Sequence, residues 1–204
     1  MIPRRTVLTT LGAGLLLGSG GLRALAAPPH CGPTGRATAG PFYVGNTPTR
    51  MDINFLGAPG QVMEVGGFVL GGADHATPLA GVAVELWHAD ADGRYHPEDD
   101  GDIARYRAEE INLRGQVRTG ADGGFAFRSV VPGHYGNRRR HLHWRVVAPG
   151  HRPLVTQTYW RDEKGSRHER TDPVDRAPED CRWISFAAAG DGVRGNVVFV
   201  LSPA

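Results

Sequence analysis

The stretch Val82-Ala83-Val84-Glu85-Leu86-Trp87-His88 places Val82, Val84 and Leu86 at every second position. This two-residue period is typical of a β-strand with one buried face. The same period recurs within Gly124–Val130 and Gly195–Leu201. Clusters of Gly, Pro, Asn and Asp separate the apolar segments, and no window carries a helical stripe across three turns. These patterns predict an all-β fold, an antiparallel sandwich or barrel.

The remaining strands follow from short apolar runs between turn signals. The full set of predicted strands is Gln61–Leu70, Val82–His88, Gly124–Val130, Leu142–Ala148, Leu154–Trp160, Arg182–Ala187 and Gly195–Leu201. The almost wholly polar stretch Arg161–Glu179 is predicted to be a loop. We expect residues 27–60 to form an extended arm and residues 61–204 to form one domain.

Residues 1–26 have the features of an export signal. Arg4-Arg5 precede an apolar stretch that ends in Ala24-Leu25-Ala26, a small-x-small cleavage site. The paired arginines favour a twin-arginine-like signal, with an ordinary secretory signal as the alternative and a membrane anchor less favoured. The sequence therefore predicts a bacterial periplasmic or secreted protein. In that oxidising compartment Cys31 and Cys181 could pair or remain as two thiols.

The charge balance of the mature chain gives it no strong attraction for nucleic acid. The whole chain carries 23 basic and 21 acidic residues, and residues 1–26 contain Arg4, Arg5 and Arg23 but no acid. Without this leader the acidic residues slightly outnumber the basic ones. We therefore expect no nucleic-acid partner and, once the leader is removed, no membrane partner.

The pair His141-Leu142-His143 is the strongest local signal for chemistry. In a strand, residues two apart point to the same face roughly 7 Å apart, so both imidazoles can converge on one metal ion. Tyr135 precedes this pair, and a Gly136-Asn137 turn between them could bring its phenol to the same place. Of the arginines in that turn, Arg139 and Arg140 are predicted to be solvated.

A second candidate tyrosine follows a turn containing Asp92-Gly93. Tyr95 lies just past this turn, where it could point back over the sheet, although a tyrosine in such a place is usually a packing residue. Tyr106 is the alternative if Tyr95 is not the phenol that reaches the metal. Asp90 and Asp92 resemble only half of a calcium-binding loop.

Taken together, these residues form a series of motifs that resembles a known family. The matching blocks, in chain order, are Gly40-Pro41-Phe42-Tyr43, Val84–Asp90, Gly93-Arg94-Tyr95, Arg114-Gly115, Gly123 with Phe125-Ala126-Phe127, Pro132–Tyr135, Arg138 with His141 and His143, and Thr156–Trp160. The chain resembles the intradiol ring-cleavage dioxygenases, which include protocatechuate 3,4-dioxygenase and catechol 1,2-dioxygenase, and it is most similar to their small exported members. Gly120 and Trp144 depart from the family's usual residues, and neither belongs to the implied ligand set.

The resemblance implies a β-sandwich core with long loops, and a metal centre. It assigns Tyr95 and His141 as equatorial ligands, and Tyr135 and His143 as axial ligands, of one non-haem Fe(III) per chain. Arg138 and Gln157 would lie beside the substrate ring. Pro41, Tyr43 and Leu113 are our predictions for the substrate-lining residues. The implied reaction opens a catechol-type ring with O2, putting both oxygen atoms into a cis,cis-muconate-type dicarboxylic acid, as in aromatic compound catabolism.

The chemistry of the ligand set agrees with ferric iron. A tyrosine has a reference pKa near 10, so two ionised phenols at neutral pH need a strong Lewis acid. Zinc more often takes His, Cys and carboxylates.

Two other interpretations remain open at this stage. The strand motifs also occur in transthyretin-like carrier and adhesion sandwiches, which need no metal. A copper or zinc site could instead be built from His141, His143 and a third histidine such as His134 or His151.

Overall fold

The computed structural model describes residues 31–204, so the predicted leader lies outside the described part of the chain. None of the helices within that part is both long and apolar enough to cross a membrane. The strands are β1 Val44–Gly45, β2 Val62–Gly71, β3 Thr77–Pro78, β4 Ala83–Trp87, β5 Gly101–Asp102, β6 Arg114–Arg118, β7 Gly124–Val130, β8 His141–Val147, β9 Leu154–Trp160, β10 Trp183–Ile184, β11 Phe186–Ala189 and β12 Gly192–Val200. The helices are α1 Arg167–Thr171 and the 3-10 turns Ile103–Arg105, Ala108–Glu110, Arg161–Glu163 and Asp180–Arg182.

Two sheets stack to form a β-sandwich, which confirms the predicted all-β class. One sheet, here called the site sheet, has the strand order β10-β9-β8-β4-β6. The other, the back sheet, has the order β11-β12-β2-β3, with β7 also paired to β2. Most neighbours are antiparallel, as expected, but β12 runs parallel to β2 from Val193 opposite Met63 to Val200 opposite Leu70. A parallel pair requires a crossover, and here the site sheet lies within it.

Alternate residues of the facing strands fill the space between the sheets. On β8 these are Leu142, Trp144 and Val146, each with 0% of its surface exposed. The indole of Trp144 donates a 2.8 Å hydrogen bond to Thr158 Oγ1 on β9, so its one polar atom is satisfied inside the core. Phe199 of β12 packs against the same indole, with ring centroids 5.2 Å apart.

The outer face of the site sheet is also covered, which is unusual for a two-layer sandwich. The N-terminal arm crosses it: Ala37 donates to Val155 O on β9, and Arg50 donates to Gln116 O on β6, at 2.9 and 3.0 Å. A disulfide joins Cys31, at the start of the described arm, to Cys181. Because of this cover, the first four residues of β8 are buried on both faces.

The structure confirms some of the predicted strands and corrects others. The bounds predicted for β7 and β9 agree with the structure. Strand β6, with the sequence RGQVR, was missed because it has no apolar alternation. The single predicted strand Arg182–Ala187 is wrong, because Ser185 separates β10, in the site sheet, from β11, in the back sheet.

The segment Arg161–Glu179 is not a plain loop. It contains a 3-10 turn and α1, whose N-cap Ser166 accepts a 3.1 Å hydrogen bond from the Glu169 backbone. Its polar composition hid this structure, since the segment has too few apolar residues to show a helical period.

Candidate metal centre

Strand register places residues from four strands in one row on the outer face of the site sheet. His143 on β8 lies opposite Gln157 on β9 and opposite Trp87 on β4. Trp87 in turn lies opposite Arg114 on β6. Residues directly opposite in antiparallel strands share a face. His141 lies opposite Tyr159 and begins the next row toward the end of β8.

A tight turn returns the chain so that Tyr95 lies over these histidines. The Asp90 carboxylate accepts hydrogen bonds from the backbone N–H groups of Asp92 and Arg94, both at 2.9 Å. Gly93 occupies the turn with φ of 83°, and a Cβ there would lie 2.1 Å from His134 O. This turn therefore packs directly against the residue that precedes Tyr135.

The centre of the site is a buried cluster of three polar side chains, those of the predicted metal ligands Tyr95, His141 and His143. The Tyr95 hydroxyl lies 3.1 Å from His141 Nε2 and 3.1 Å from His143 Nε2. Tyr95, His141 and His143 are 3%, 4% and 3% exposed. His141 Nδ1 lies 2.8 Å from Arg139 O. Because that carbonyl can only accept, Nδ1 carries the proton and Nε2 turns a lone pair toward Tyr95.

Burial keeps both imidazoles neutral. It lowers the pKa of His141 to about 3, and the nearby charge of Arg138 acts in the same direction. Burial also lowers the pKa of His143 well below its usual value, again helped by neighbouring positive groups. The His143 ring stacks on Trp87 at 5.0 Å, and a Cβ at Gly40 would lie 3.2 Å from its Cε1. Neutral, oriented imidazoles are the form that binds metals.

The Tyr95 phenol shows the opposite effect. Burial raises its pKa above the ordinary value, while the charges of Arg138 and Arg114 oppose the shift. The protein alone therefore keeps Tyr95 protonated at neutral pH. Ionising it would require a strong positive charge within the donor group.

Tyr135 lies at the open side of the same group. Its ring meets the Tyr95 ring edge-on at 5.7 Å and the Phe42 ring at 5.4 Å. It is 38% exposed, and a hydrogen bond from Arg138 N to Tyr135 O closes the turn that carries it. The structure thus places this tyrosine beside the buried donors, and its role as a ligand stays a prediction.

Arg138 and Gln157 lie together at the edge of the group. The Arg138 guanidinium donates to Gln157 Oε1 at 2.5 Å, and Gln157 Nε2 donates to Thr38 O of the arm at 2.8 Å. Arg138 Nε also forms a 2.7 Å ion pair with Asp172.

The prediction that Arg139 and Arg140 are solvated is wrong. Arg139 has 0% of its surface exposed and stacks over the Tyr159 ring at 4.0 Å. The side chain of Arg140 is 26% exposed and pairs with Glu163 at 2.5 Å. Both partners come from distant segments, so the run of three arginines alone could not show them.

Arg114 is a buried residue at the site to which the sequence assigned no role. It is 1% exposed, and its guanidinium donates to the carbonyls of Phe42, His96 and Pro97 at 2.7, 2.7 and 3.1 Å. Burial lowers its pKa to about 10. Its position in the Arg114-Gly115 block was the available signal, but only the register shows that it faces the site.

The remaining candidates take different places. The Tyr43 hydroxyl donates to Glu85 at 2.8 Å, and its ring packs 4.9 Å from Trp87. Pro41 is exposed on the arm, whereas Leu113 has no exposed surface. Their role as substrate-lining residues stays a prediction. Tyr106, the alternative to Tyr95, donates instead to Asp100 O at 2.5 Å.

The proposed third histidines do not join His141 and His143. His134 bonds Glu163 at 2.9 Å and stacks on His168 at 3.7 Å. His151 follows the far end of β8 and bridges to Pro203. Within residues 31–204, no group of three or more His, Cys, Asp and Glu side chains is arranged to hold a metal ion.

Comparison with known proteins agrees with this geometry. A family model described as Dioxygenase matches residues 38–174, more than half of the chain. Catechol 1,2-dioxygenase 2 of Acinetobacter lwoffii is 36% identical over 149 residues, covering 62% of this chain and 50% of that protein. The 6-chlorohydroxyquinol 1,2-dioxygenase of Cupriavidus pinatubonensis is 33% identical over 145 residues, covering 61% and 50%. The chain thus spans about half the length of these relatives.

Solved structures show the same fold. The dioxygenase domain of a carbohydrate-binding fusion protein from Streptomyces sp. SirexAA-E is 33% identical, with a TM-score of 0.68 and coverage of 85% of this chain and 100% of that one. The 3-chlorocatechol 1,2-dioxygenase of Rhodococcus opacus 1CP, at 21% identity and a TM-score of 0.67, covers 84% and 73% and shares the fold. The family match, together with the clustered tyrosine and histidine side chains on the outer face of the site sheet, establishes that the chain belongs to the intradiol ring-cleavage dioxygenase family.

Proposed function

We propose that this protein is an iron(III) dioxygenase that opens a catechol-type ring between its two hydroxyl-bearing carbons. O2 is the second substrate, and both oxygen atoms of O2 enter the product, a cis,cis-muconate-type dicarboxylic acid. One observation carries the proposal: a buried Tyr95 hydroxyl lies 3.1 Å from the Nε2 atoms of two buried histidines. A plain carrier sandwich has no reason to bury these three polar groups together.

The donor set fits ferric iron. Imidazole nitrogen binds many first-row metals, but a phenol whose pKa burial has raised becomes a ligand only beside a strong Lewis acid. Hard, anionic oxygen donors in turn favour a hard, highly charged cation. Tyr95, Tyr135, His141 and His143 would hold one such iron per chain. When bound, it would supply the Lewis acidity that ionises the catechol and prepares its ring for reaction with O2.

Tyr135 is suited to accept a proton from the substrate. A catechol that binds as a dianion must give up two protons, one to a base in the site and the other to solvent. Tyr135 is 38% exposed whereas Tyr95 is 3% exposed, so a molecule arriving from solvent meets Tyr135 first. Its phenolate oxygen can take one proton without opening the buried part of the site, which leaves Tyr95 and the two histidines in place.

Arg138 and Gln157 are suited to orient the substrate and stabilise its charge. Arg138 lies near Tyr95, His141 and His143, and its positive charge acts to lower the pKa of each. A fixed cation beside a ring on which negative charge develops lowers the energy of the transition state. The hydrogen bond to Gln157 Oε1 holds that cation toward the site sheet.

A catechol-type substrate and an exported location complete the proposal. The relatives are named for catechol, hydroxyquinol and chlorinated catechols, which supports a role in aromatic compound catabolism. The Cys31–Cys181 disulfide supports a periplasmic or secreted location, because such bonds persist in oxidising compartments.

The reaction is tested with iron-loaded protein, 18O2 and a panel of catechol, protocatechuate and hydroxyquinol. We expect at least one to yield a dicarboxylic acid carrying both labelled atoms, and a His143→Gln variant to lose iron and activity together. With catechol as substrate, cleavage beside the two hydroxyl-bearing carbons instead of between them, which leaves an aldehyde in place of one carboxyl group, would reject the proposal. So would a fully loaded protein that consumes no O2 with any of the three.

A further inference from the structure

A buried carboxylate lies behind the site, outside the proposed donor group. Asp172 directly follows α1, and its side chain has 0% of its surface exposed. Its Oδ1 lies 2.7 Å from Arg138 Nε, and its Oδ2 lies 3.2 Å from Arg139 Nε. Both contacts are ion pairs, since neither N–H is aligned for a hydrogen bond. The Asp172 carboxylate therefore forms ion pairs with two adjacent arginines, Arg138 and Arg139.

Backbone groups fix the orientation of this carboxylate. The N–H of Val174 donates to Oδ1 at 2.9 Å, and the N–H of Arg139 donates to Oδ2 at 3.3 Å. Each oxygen thus has one backbone donor and one arginine. A buried carboxylate held in this way cannot rotate without losing contacts that no water replaces.

The two arginines use the shared anion differently. Arg139 is enclosed: its guanidinium also reaches the carbonyls of Val174 and Asp175 and stacks over the Tyr159 ring. Arg138 is 12% exposed and makes its other side-chain contact with Gln157. The Arg138 guanidinium is therefore held from two sides, by Asp172 and by Gln157. Without the charge of Asp172, Arg139 would keep Glu169 at 3.9 Å, whereas Arg138 would lose its ion pair and, being the more exposed of the two, could turn toward solvent.

We propose that Asp172 is the positioning residue that holds Arg138 against the substrate. This inference rests on the proposed function and assigns Asp172 no contact with substrate or metal. The segment 161–182, which is remote in sequence from Tyr95, His141 and His143, thereby sets the orientation of the Arg138 guanidinium at the edge of the site. Asp172 then affects turnover only through Arg138.

A double-mutant cycle tests this coupling. The variants are Asp172→Asn, which keeps the shape of the side chain but removes its charge, Arg138→Ala, and the two combined. Asp162→Asn is the matched control, because Asp162 lies in the same segment, is 71% exposed and pairs with Arg140 at 3.6 Å. Iron content, the visible spectrum, kcat and KM are measured for each protein.

We expect Asp172→Asn to keep its iron and its spectrum while kcat falls by about tenfold to 100-fold, with a smaller change in KM. Added to Arg138→Ala, the same substitution should lower kcat no further. Asp162→Asn should behave like the wild type. If Asp172→Asn does not fold, Asp172→Glu keeps the charge and displaces it, and its loss of kcat should likewise vanish in the Arg138→Ala background.

Three outcomes overturn the proposal: an unchanged kcat in Asp172→Asn, losses that multiply in the double variant, or loss of iron in proportion to kcat. Any of these in an enzyme whose wild type opens catechols rejects the role of Asp172 alone. A wild-type protein that binds iron and opens no catechol rejects the proposed function, and this inference with it.

Discussion

His88 and His141 show how similar burial leads to different roles. In both residues Nδ1 lies within hydrogen-bond distance of a backbone carbonyl, Ala89 O or Arg139 O. Nε2 of His88 accepts from Ser129 Oγ at 2.8 Å, so this ring is fully satisfied. Nε2 of His141 instead lies 3.1 Å from the Tyr95 hydroxyl. The partner of Nε2 therefore distinguishes a structural histidine, His88, from a predicted metal ligand, His141, although both residues lie in the matched motifs.

His88 should make stability depend on pH. Burial lowers its pKa from 6.5 to about 4. Between these values the unfolded chain binds a proton at this residue and the folded chain does not. The free energy of unfolding therefore falls as pH drops from 6.5 toward 4, by up to about 3 kcal/mol from His88 alone. Urea unfolding of metal-free protein across this range measures the slope.

His88→Gln and His151→Gln serve as variant and control for this prediction. His88→Gln should make the slope shallower, since it removes one titrating group from the core. His151, at the turn after β8, should leave it unchanged. Equal slopes in all three proteins would show that His88 does not couple folding to protonation.

The arginine run illustrates the limit of residue-level prediction. Arg138, Arg139 and Arg140 are consecutive, yet their side chains bind Gln157, Asp172 and Glu163. The sequence could identify Arg138 through its motif. The sequence could not identify Asp172 and Glu163 as the carboxylates that pair with Arg139 and Arg140. Both carboxylates lie in a polar segment with no pattern that points to a partner.

At the level of elements, two glycines bring the turns of the tyrosines together. Gly93 N donates to Asp90 O, and Gly133 N donates to the same carbonyl at 2.8 Å. A Cβ at Gly93 would lie 2.1 Å from His134 O, and one at Gly133 would lie 2.2 Å from Ala91 O. The close approach of these turns is what sets Tyr95 and Tyr135 against each other.

Gly93→Ala should therefore lower both stability and iron binding. Gly150→Ala is the matched control: its φ of 70° resembles the 83° of Gly93, but a Cβ there meets nothing within 4 Å. The control carries only the backbone strain of a left-handed alanine, about 1–2 kcal/mol. Gly93→Ala adds a clash with backbone, so its free energy of unfolding should fall further, by about 1–3 kcal/mol.

Thermal unfolding and iron content of the two variants check this. Equal loss of stability in both would mean that the contact with His134 O is not tight. Retention of iron in Gly93→Ala at the wild-type level would mean that the turns can separate without disturbing the donors.

The sheet shows which parts of the fold a sequence can and cannot give. Alternation located β7, a short apolar run between turn signals located β9, and the spacing of His141 and His143 placed both imidazoles on one face. The strand register could not be predicted in this way, because the row of Gln157, His143, Trp87 and Arg114 depends on how four separate strands align. Strand β6 carries arginine and glutamine toward a covered face, so it lacks the apolar pattern by which strands are recognised.

At the level of the whole molecule, the arm converts an outer sheet face into an interior site. It is anchored by the Cys31–Cys181 disulfide, crosses β9 and β6, and supplies Phe42, which stacks on Tyr95 at 4.6 Å. The sequence predicted the arm as extended, but nothing in its composition showed which face it covers.

The disulfide should contribute substantially to stability. It joins residues 150 positions apart. Replacing both cysteines with serine should lower the free energy of unfolding by about 2–5 kcal/mol, chiefly by freeing the unfolded chain. Urea unfolding of wild type and variant, each with and without reductant, gives the comparison. Reductant should destabilise the wild type only, and an equal effect on the double variant, or none on the wild type, would contradict the prediction.

The visible absorption spectrum of iron-loaded mature protein is the most direct measurement of the central claim, that tyrosinate and imidazole hold ferric iron. Tyrosinate bound to ferric iron absorbs in the visible, so we expect a coloured protein whose band shifts when a catechol is added without oxygen. Tyr95→Phe should lose much of this absorption. Tyr106→Phe should keep it, because the Tyr106 hydroxyl of the wild type donates to Asp100 O and lies outside the predicted ligand set. A fully loaded protein that is colourless, or a band that survives in Tyr95→Phe but disappears in Tyr106→Phe, would contradict the assignment.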